Sequence, residues 1–310
     1  MSSIRQNLSK KIVILGLAES GKSTIINSVI EGIKPQRGER YSATINYQRK
    51  KKILCGVELN IFDLGGQTRF LDRFTGDLAE FIFSDVDIFI FVIEALQVAD
   101  FSRARYYLEL ALEKLDQYSS KASIYFFLHK IDLVPDQYID KISNTVKSYL
   151  ISDLSHKIQF YETSVFSESM FRTIGDIFSK MIQLPENVTS ILEDFMQRNQ
   201  SCIDQIQLLT FEGVELVLVK NNNRISEISR EEAKNLFDAA VEQLILSDDQ
   251  KNKIITIEAK GFVSISYFLE NGLTIFCLLS KNGISGEISP SIYNKIISLS
   301  NHIVLHTQKK

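Results

Sequence analysis

Gly16-Leu17-Ala18-Glu19-Ser20-Gly21-Lys22-Ser23-Thr24 decides the fold of the first part of this chain. The stretch fits G-x-x-x-x-G-K-[ST]. An apolar run, Lys11–Leu15, leads into it, and an amphipathic segment, Lys22–Glu31, leads out. Strand, Gly-rich turn, then helix is the context in which this pattern binds phosphate. The glycines let the backbone curl, so that N–H groups from Glu19, Ser20, Gly21, Lys22, Ser23 and Thr24 face one anion. The helix N-terminus adds positive potential. Lys22 is placed to reach the β- and γ-phosphates of a nucleotide, and the Ser23 hydroxyl to ligate Mg²⁺.

Working outward, five apolar runs punctuate the first 185 residues: Lys11–Leu15, Leu59–Phe62, Ile88–Ile93, Ile124–Leu128 and Ile158–Tyr161. Their continuous apolar character suits strands buried on both faces. Amphipathic segments lie between them, at Lys22–Glu31, Arg69–Phe83, Phe101–Tyr118, Tyr138–Leu154 and Ser169–Gln183. Tyr47–Ile53 reads as a sixth, more exposed strand, pairing with Leu59–Phe62 through a turn at Cys55-Gly56. Its Arg49-Lys50-Lys51-Lys52 run is a solvated edge that discourages strand addition. The expected fold class is therefore α/β: a mostly parallel, doubly wound, six-stranded sheet over residues 1–185.

Pro185 marks the expected boundary. Residues 186–310 then read αββαβββα: a helix at Val188–Gln200, strands Gln205–Phe211 and Glu215–Lys220, a helix at Arg230–Leu246 capped by Ser229, strands Lys253–Ala259, Phe262–Glu270 and Leu273–Leu279, and a last helix at Pro290–Leu305. Lys260-Gly261 and Asn271-Gly272 are tight-turn signals. This predicts an α+β domain with a five-stranded antiparallel sheet. At 310 residues, two domains are expected on size alone.

Two further motifs complete a nucleotide site. Asp63-Leu64-Gly65-Gly66-Gln67 follows an apolar strand, at the carboxyl end where open α/β sheets bind ligands. There Asp63 suits Mg²⁺, the Gly66 amide a γ-phosphate, and Gln67 the attacking water. His129-Lys130-Ile131-Asp132 follows Ile124–Leu128. The Asp132 carboxylate can accept both N1–H and N2–H₂ of guanine; adenine offers no such donor pair, which argues against an ATP-using phosphotransferase. Lys130 would lie over the base, and His129 opens the motif where most GTPases have Asn. Thr44 could ligate Mg²⁺ when a γ-phosphate is present, and Thr163-Ser164-Val165 could offer amides to the guanine O6, chiefly from Ser164 and Val165. The expected catalytic set is Gln67, Lys22 and Thr44; the expected metal set is Ser23, Thr44 and Asp63; the expected cofactors are GTP/GDP and Mg²⁺.

With these residues in hand, the chain resembles the Rag/Gtr family of small GTPases over its whole length. The resemblance rests on the P-loop, Ala43-Thr44-Ile45, Asp63–Gln67 and, above all, the His that opens His129-Lys130-Ile131-Asp132-Leu133-Val134. It implies a roadblock/longin-type second domain and a switch that signals as a homo- or heterodimer through residues 186–310. It also implies activating and exchange proteins, and a part in nutrient signalling. Gly65-Gly66-Gln67 looks more like the A/B-type subunit than the C/D-type. Ala18-Glu19-Ser20 is closer to Gα proteins, and Phe62-Asp63-Leu64-Gly65-Gly66-Gln67 to Arf proteins. An Arf/Gα-like GTPase with an added assembly domain, or a scaffold that holds nucleotide without cycling, therefore stand as alternatives. The 21 residues between Lys22 and Thr44 leave no room for the helical domain that Gα proteins insert there. Gα proteins carry an arginine just before the equivalent of Thr44; here that position is Tyr41, with Arg40 one residue off. The expectation is slow hydrolysis without a partner, with Arg40 acting in cis as the alternative.

Composition narrows the rest. The 35 basic and 38 acidic residues give a net charge of −3, which speaks against a nucleic-acid binder. Cys55, Cys202 and Cys277 are odd in number and widely spaced, as core residues in a reducing compartment would be. The first residues lack an apolar signal region, Ser2 excludes N-myristoylation, and the last residues carry no prenylation Cys. The expected location is cytoplasmic, with membranes reached only through partners.

Overall fold

The computed structural model describes residues 9–30, 33, 35–37, 43–54, 57–181, 187–210, 213, 215–221, 230–246, 252–259, 262–269, 273–280 and 290–307. It divides into two compact units, residues 1–53 with 57–173, and residues 54–56 with 174–310. The division falls within one helix, earlier than the Pro185 punctuation. Pro185, the turns at Cys55-Gly56, Lys260-Gly261 and Asn271-Gly272, the cap Ser229, and Arg40 lie outside the described residues.

The first unit is built on strands β1 (Ser9–Gly16), β2 (Tyr47–Leu54), β3 (Val57–Leu64), β4 (Ile88–Glu94), β5 (Ser123–His129) and β6 (Ile158–Thr163), in the spatial order β2-β3-β1-β4-β5-β6. The pairs β1–β3, β1–β4, β4–β5 and β5–β6 are parallel. Successive side chains alternate between faces, so a strand covered on both sides must be apolar at every position. Val13, Leu15, Phe89, Phe91, Ile93, Phe126 and Leu128 fill one core, with Leu108, Leu112 and Val146 from the helices. The intervening Ile12, Ile14, Ile90, Val92 and Phe127 are also buried. Helix α1 (Lys22–Val29) contacts β1 and β3.

Two expected helices are interrupted. Arg69–Phe83 is broken into α2 (Thr68–Thr75) and α3 (Ala79–Phe83). The break is at Gly76, whose φ −106° and ψ −109° leave the helical region. The Thr75 hydroxyl donates back to Leu71 O at 3.0 Å, a local bond that competes with continuing the helix. After α4 (Phe101–Tyr118), α5 starts earlier than expected, at Asp136 behind Pro135, and its α-helical part stops at Val146. Residues Lys147–Ile151 widen into a π-helical turn. Around it, the hydroxyls of Thr145, Ser148 and Ser152 donate back to the carbonyls of Lys141, Thr145 and Ser148, local bonds that compete with the regular helical ladder. Helix α6 (Glu168–Met181) follows β6.

The second unit begins its own sequence of elements with α7 (Val188–Arg198) and strands β7 (Gln205–Thr210) and β8 (Glu215–Lys220). Helix α8 (Arg230–Ile245), strands β9 (Lys253–Ala259), β10 (Phe262–Phe268) and β11 (Leu273–Ser280), and helix α9 (Pro290–Thr307) complete it. The sheet order is β8-β7-β11-β10-β9, with every neighbouring pair antiparallel. Leu236, Phe237, Ala240 and Leu244 of α8 pack on Phe268, Phe276 and Leu278. Helix α7 contacts β7, β8 and α9. Cys277 is fully buried and Cys202 is half-buried; Cys55 lies outside the described residues. Among the described residues, no helix is long and apolar enough to cross a membrane.

Phe126 is the keystone of the first core, stacked between Phe91 at 5.8 Å and Phe160 at 5.7 Å between ring centroids. Phe126→Ala is expected to destabilise the first unit by about 3–5 kcal/mol, read as a lower urea midpoint.

Candidate nucleotide site

The P-loop ends on Gly21, which caps α1 with φ 94° and no side-chain cap bond. The first-turn amides of α1 thus have no capping side chain between them and an anion. Gly21 is also needed for space. A Cβ there would sit 2.5 Å from Cδ2 of His129. Lys22 is buried, and its ammonium lies inside the loop, donating to Gly16 O at 3.0 Å and Leu17 O at 2.7 Å. Burial pushes it down to about 8, with Asp63 opposing the shift. Two carbonyls do not neutralise a buried cation, so a phosphate would be strongly favoured beside it.

Three oxygen donors from three segments meet next to Lys22. The Ser23 hydroxyl donates to Asp63 Oδ2 at 2.5 Å and lies 2.9 Å from Thr44 Oγ1. Thr44 Oγ1 is 3.3 Å from the same carboxylate oxygen. Asp63 Oδ1 is buried, with no hydrogen-bond partner among the described residues. Burial raises the Asp63 pKa, against the pull of Ser23 and Lys22. Hard oxygen ligands, one of them a carboxylate with an unsatisfied buried atom, fit Mg²⁺. Gly66 joins the same cluster through its backbone. A Cβ on it would lie 2.3 Å from the Leu17 carbonyl carbon and 2.4 Å from Ala18 N, so the turn after β3 rests directly on the P-loop. Gly65 N donates to Asn46 O at 2.7 Å, tying that turn to the Thr44 segment. Gln67 stands half-buried at the N-cap of α2.

The base side is built at the ends of β5 and β6. Parallel pairing sets His129 opposite Glu94 on one side and Thr163 on the other. The His129 ring is buried beneath Gly21, and its Nδ1 lies 3.0 Å from Thr163 Oγ1. Burial, then Lys130, lowers its pKa to about 4. The ring is neutral at pH 7, and it links β5, β6 and the P-loop from within rather than presenting itself at the surface. Lys130 has φ 58° and donates to Glu94 Oε2 at 2.7 Å. Asp132 Oδ1 accepts from Ser164 Oγ at 2.5 Å, and Phe166 N donates to the same Ser164 oxygen at 3.1 Å. Val165 is buried beside them. Glu19 is exposed at φ 64°, Ser20 is buried with its hydroxyl on Leu17 O, and Thr24 is half-buried in the first turn of α1. The expected residues thus fall into two groups, one around Lys22 and Asp63 and one around Asp132 and Ser164, with His129 packed between them.

The Gtr1/RagA G protein conserved region matches residues 11–244. The chain belongs to the Gtr1/RagA family. Gtr1/RagA family small GTPases hydrolyse GTP, and this family member is a regulatory GTP-binding protein. It is 24% identical to GTP-binding protein GTR1 of Saccharomyces cerevisiae over 98% of this chain and 97% of that one. It is 23% identical to Ras-related GTP-binding protein A of Dictyostelium discoideum, over 70% and 71%. GTP-binding protein gtr2 of Schizosaccharomyces pombe is 27% identical over 59% of each chain. Among solved structures, the Arl6 BBS3 small GTPase of Trypanosoma brucei with bound GppNp matches at 22% identity and TM-score 0.37, over 51% of this chain and 87% of that one.

Sequence reasoning missed Arg37, Glu94 and Phe166. Glu94 had a signal, since it closes an apolar strand beside Lys130. Arg37 and Phe166 sit in loops without a motif, so nothing local marked them.

His129 supplies a prediction. Its folded pKa lies below the unfolded value of 6.5, so the unfolded chain takes up the proton first. Its stabilising contribution is complete above pH 6.5 and falls, by about 1.4 kcal/mol per pH unit, as pH drops toward 4. In urea titrations, His129→Asn is expected to flatten that part of the pH profile.

Proposed function

We propose that this Gtr1/RagA-family GTPase is a Mg²⁺-dependent guanine-nucleotide switch. The observation that carries this is the meeting of Ser23, Thr44 and Asp63 oxygens beside the buried Lys22 ammonium. When bound, Mg²⁺ would neutralise charge on the β- and γ-phosphate oxygens. Ser23 and Thr44 would hold it by their hydroxyls, with Asp63 behind them. Glu19, Ser20, Gly21, Lys22, Ser23 and Thr24 would hold phosphate through backbone amides, with Lys22 adding its charge. Gln67 would orient the attacking water. Asp132 would accept the guanine N1–H and N2–H₂, with Ser164 and Val165 amides toward O6 and the Lys130 stem over the base. His129 would act by positioning the P-loop.

Turnover without a partner would be slow, because charge stabilisation from an arginine finger is worth about 10³–10⁵ in rate. An activating protein would supply it, and an exchange protein would release GDP. Loss of the γ-phosphate would free the Thr44 and Gly66 segments, which changes the surface read by partners. Signalling would run through a dimer formed by residues 186–310, roadblock-like in its αββαβββα order, with a copy of itself or a related subunit. Nutrient-responsive signalling, on a membrane surface reached through partners, is the setting that the family resemblance suggests.

Two measurements test this. Removing Mg²⁺ with EDTA is expected to weaken GTP binding at least roughly tenfold, and Ser23→Ala to abolish most of that dependence. Asp132→Asn is expected to lower GDP affinity roughly a hundredfold and to create affinity for xanthosine diphosphate. Equal affinity of the parent chain for ATP and GTP would overturn the guanine assignment. GTP that stays intact for hours with candidate activators would make the chain a nucleotide-holding scaffold.

A further inference from the structure

Asp132 carries a second partner besides Ser164. Arg37 Nη1 lies 3.2 Å from Asp132 Oδ2, the oxygen that Ser164 leaves open. The same guanidinium stacks over the Phe166 ring, 4.5 Å from its centroid. Phe166 is itself fixed to the base motif, since its amide donates to Ser164 Oγ at 3.1 Å. Arg37 therefore reaches the base-recognition carboxylate from a different segment and rests on an aromatic platform beside it.

The chemistry of this contact is suggestive. A guanidinium offers parallel, coplanar N–H donors matched to a carboxylate. The Watson–Crick edge of guanine, N1–H beside N2–H₂, is part of a guanidine unit and offers the same two-donor face. With Oδ1 already accepting from Ser164, Oδ2 is the oxygen that Arg37 approaches, and a guanine edge bridging both oxygens would have to displace it there. The Arg37 side chain is 64% exposed, whereas that of Asp132 is 18% exposed, so the arginine can leave at little cost while the carboxylate stays.

We propose that Arg37 is an internal competitor for the guanine site, a guanidinium that takes the place of the base edge on Asp132 and swings out when guanine enters. This deepens the reading of Asp132 as the guanine acceptor and rests on it. Arg37 thereby sets the affinity for guanine nucleotides, and Phe166 sets how well the competitor is held.

The test is titration of the full-length chain with fluorescent GDP, with association and dissociation measured by stopped flow. Arg37→Gln, which removes the charged fork and leaves a shorter, neutral polar side chain, is expected to tighten GDP roughly two- to fivefold, mostly through faster association. Phe166→Leu is expected to give part of the same gain. In the Asp132→Asn background, read with xanthosine diphosphate, Arg37→Gln should give no gain, because the asparagine no longer holds the arginine. That arm also reports any loss from removing a positive charge that attracts an anionic nucleotide at longer range. Unchanged or weakened GDP binding in Arg37→Gln overturns the proposal, as does an equal gain in both backgrounds. If Asp132→Asn alone leaves GDP affinity unchanged, the guanine reading fails first, and the effect of Arg37 is seen independently of it.

Discussion

A buried ammonium group governs the first unit. Lys22 is held inside its own loop by two carbonyl oxygens, too close to the protein interior for water to solvate it. Such a group is tolerated only where something else balances it. Asp63 supplies part of that balance, yet burial raises its own pKa, so the pair is itself under-solvated. In the function proposed above, both strains would be relieved by the same event, an anion and a divalent cation arriving together. The strands around the loop must then be rigid enough to hold a cation where it does not want to be. The apolar β1, β4 and β5 provide that rigidity, with phenylalanines stacked from one strand to the next.

His129 extends the argument to the base side. A polar ring buried between two strands and a glycine needs a hydrogen-bond partner, and Thr163 is one residue before Ser164 in the next strand's end. The ring thus packs between the Gly16–Thr24 loop and the Thr163–Val165 turn. An Asn there would keep a hydrogen-bonding amide but would fill less of the space under Gly21.

Much of this was legible in the sequence because it rests on local chemistry. Continuous apolar runs announce strands covered on both faces, and the order of glycines, lysine and hydroxyls in residues 16–24 has a backbone reason at each position. Parallel pairing across the helical connections follows from chains that must cross over, whereas the strand order β2-β3-β1-β4-β5-β6 is seen only in the fold. What escaped was non-local or cumulative. Nothing in Arg69–Phe83 says that one glycine will end the helix while other glycines are tolerated. The π turn at Lys147–Ile151 lies among several hydroxyl-to-carbonyl bonds. Arg37 is an unremarkable loop arginine until the fold brings it to Asp132.

The contact between Gly66 and the first turn of the P-loop has a mechanical consequence. Backbone rests on backbone there, with no side chain between to bend or change rotamer. The two segments are therefore in direct steric contact, and neither can move toward the other without displacing it. The next residue, Gln67, is the cap of α2, so that helix begins one residue after the contact. The helix is tethered further along, where Tyr107 of α4 donates to Asp72 at 2.6 Å. Backbone contact before its first turn and a side-chain bond near its middle anchor α2 at two points, and Arg69 and Arg73 stand exposed on its surface.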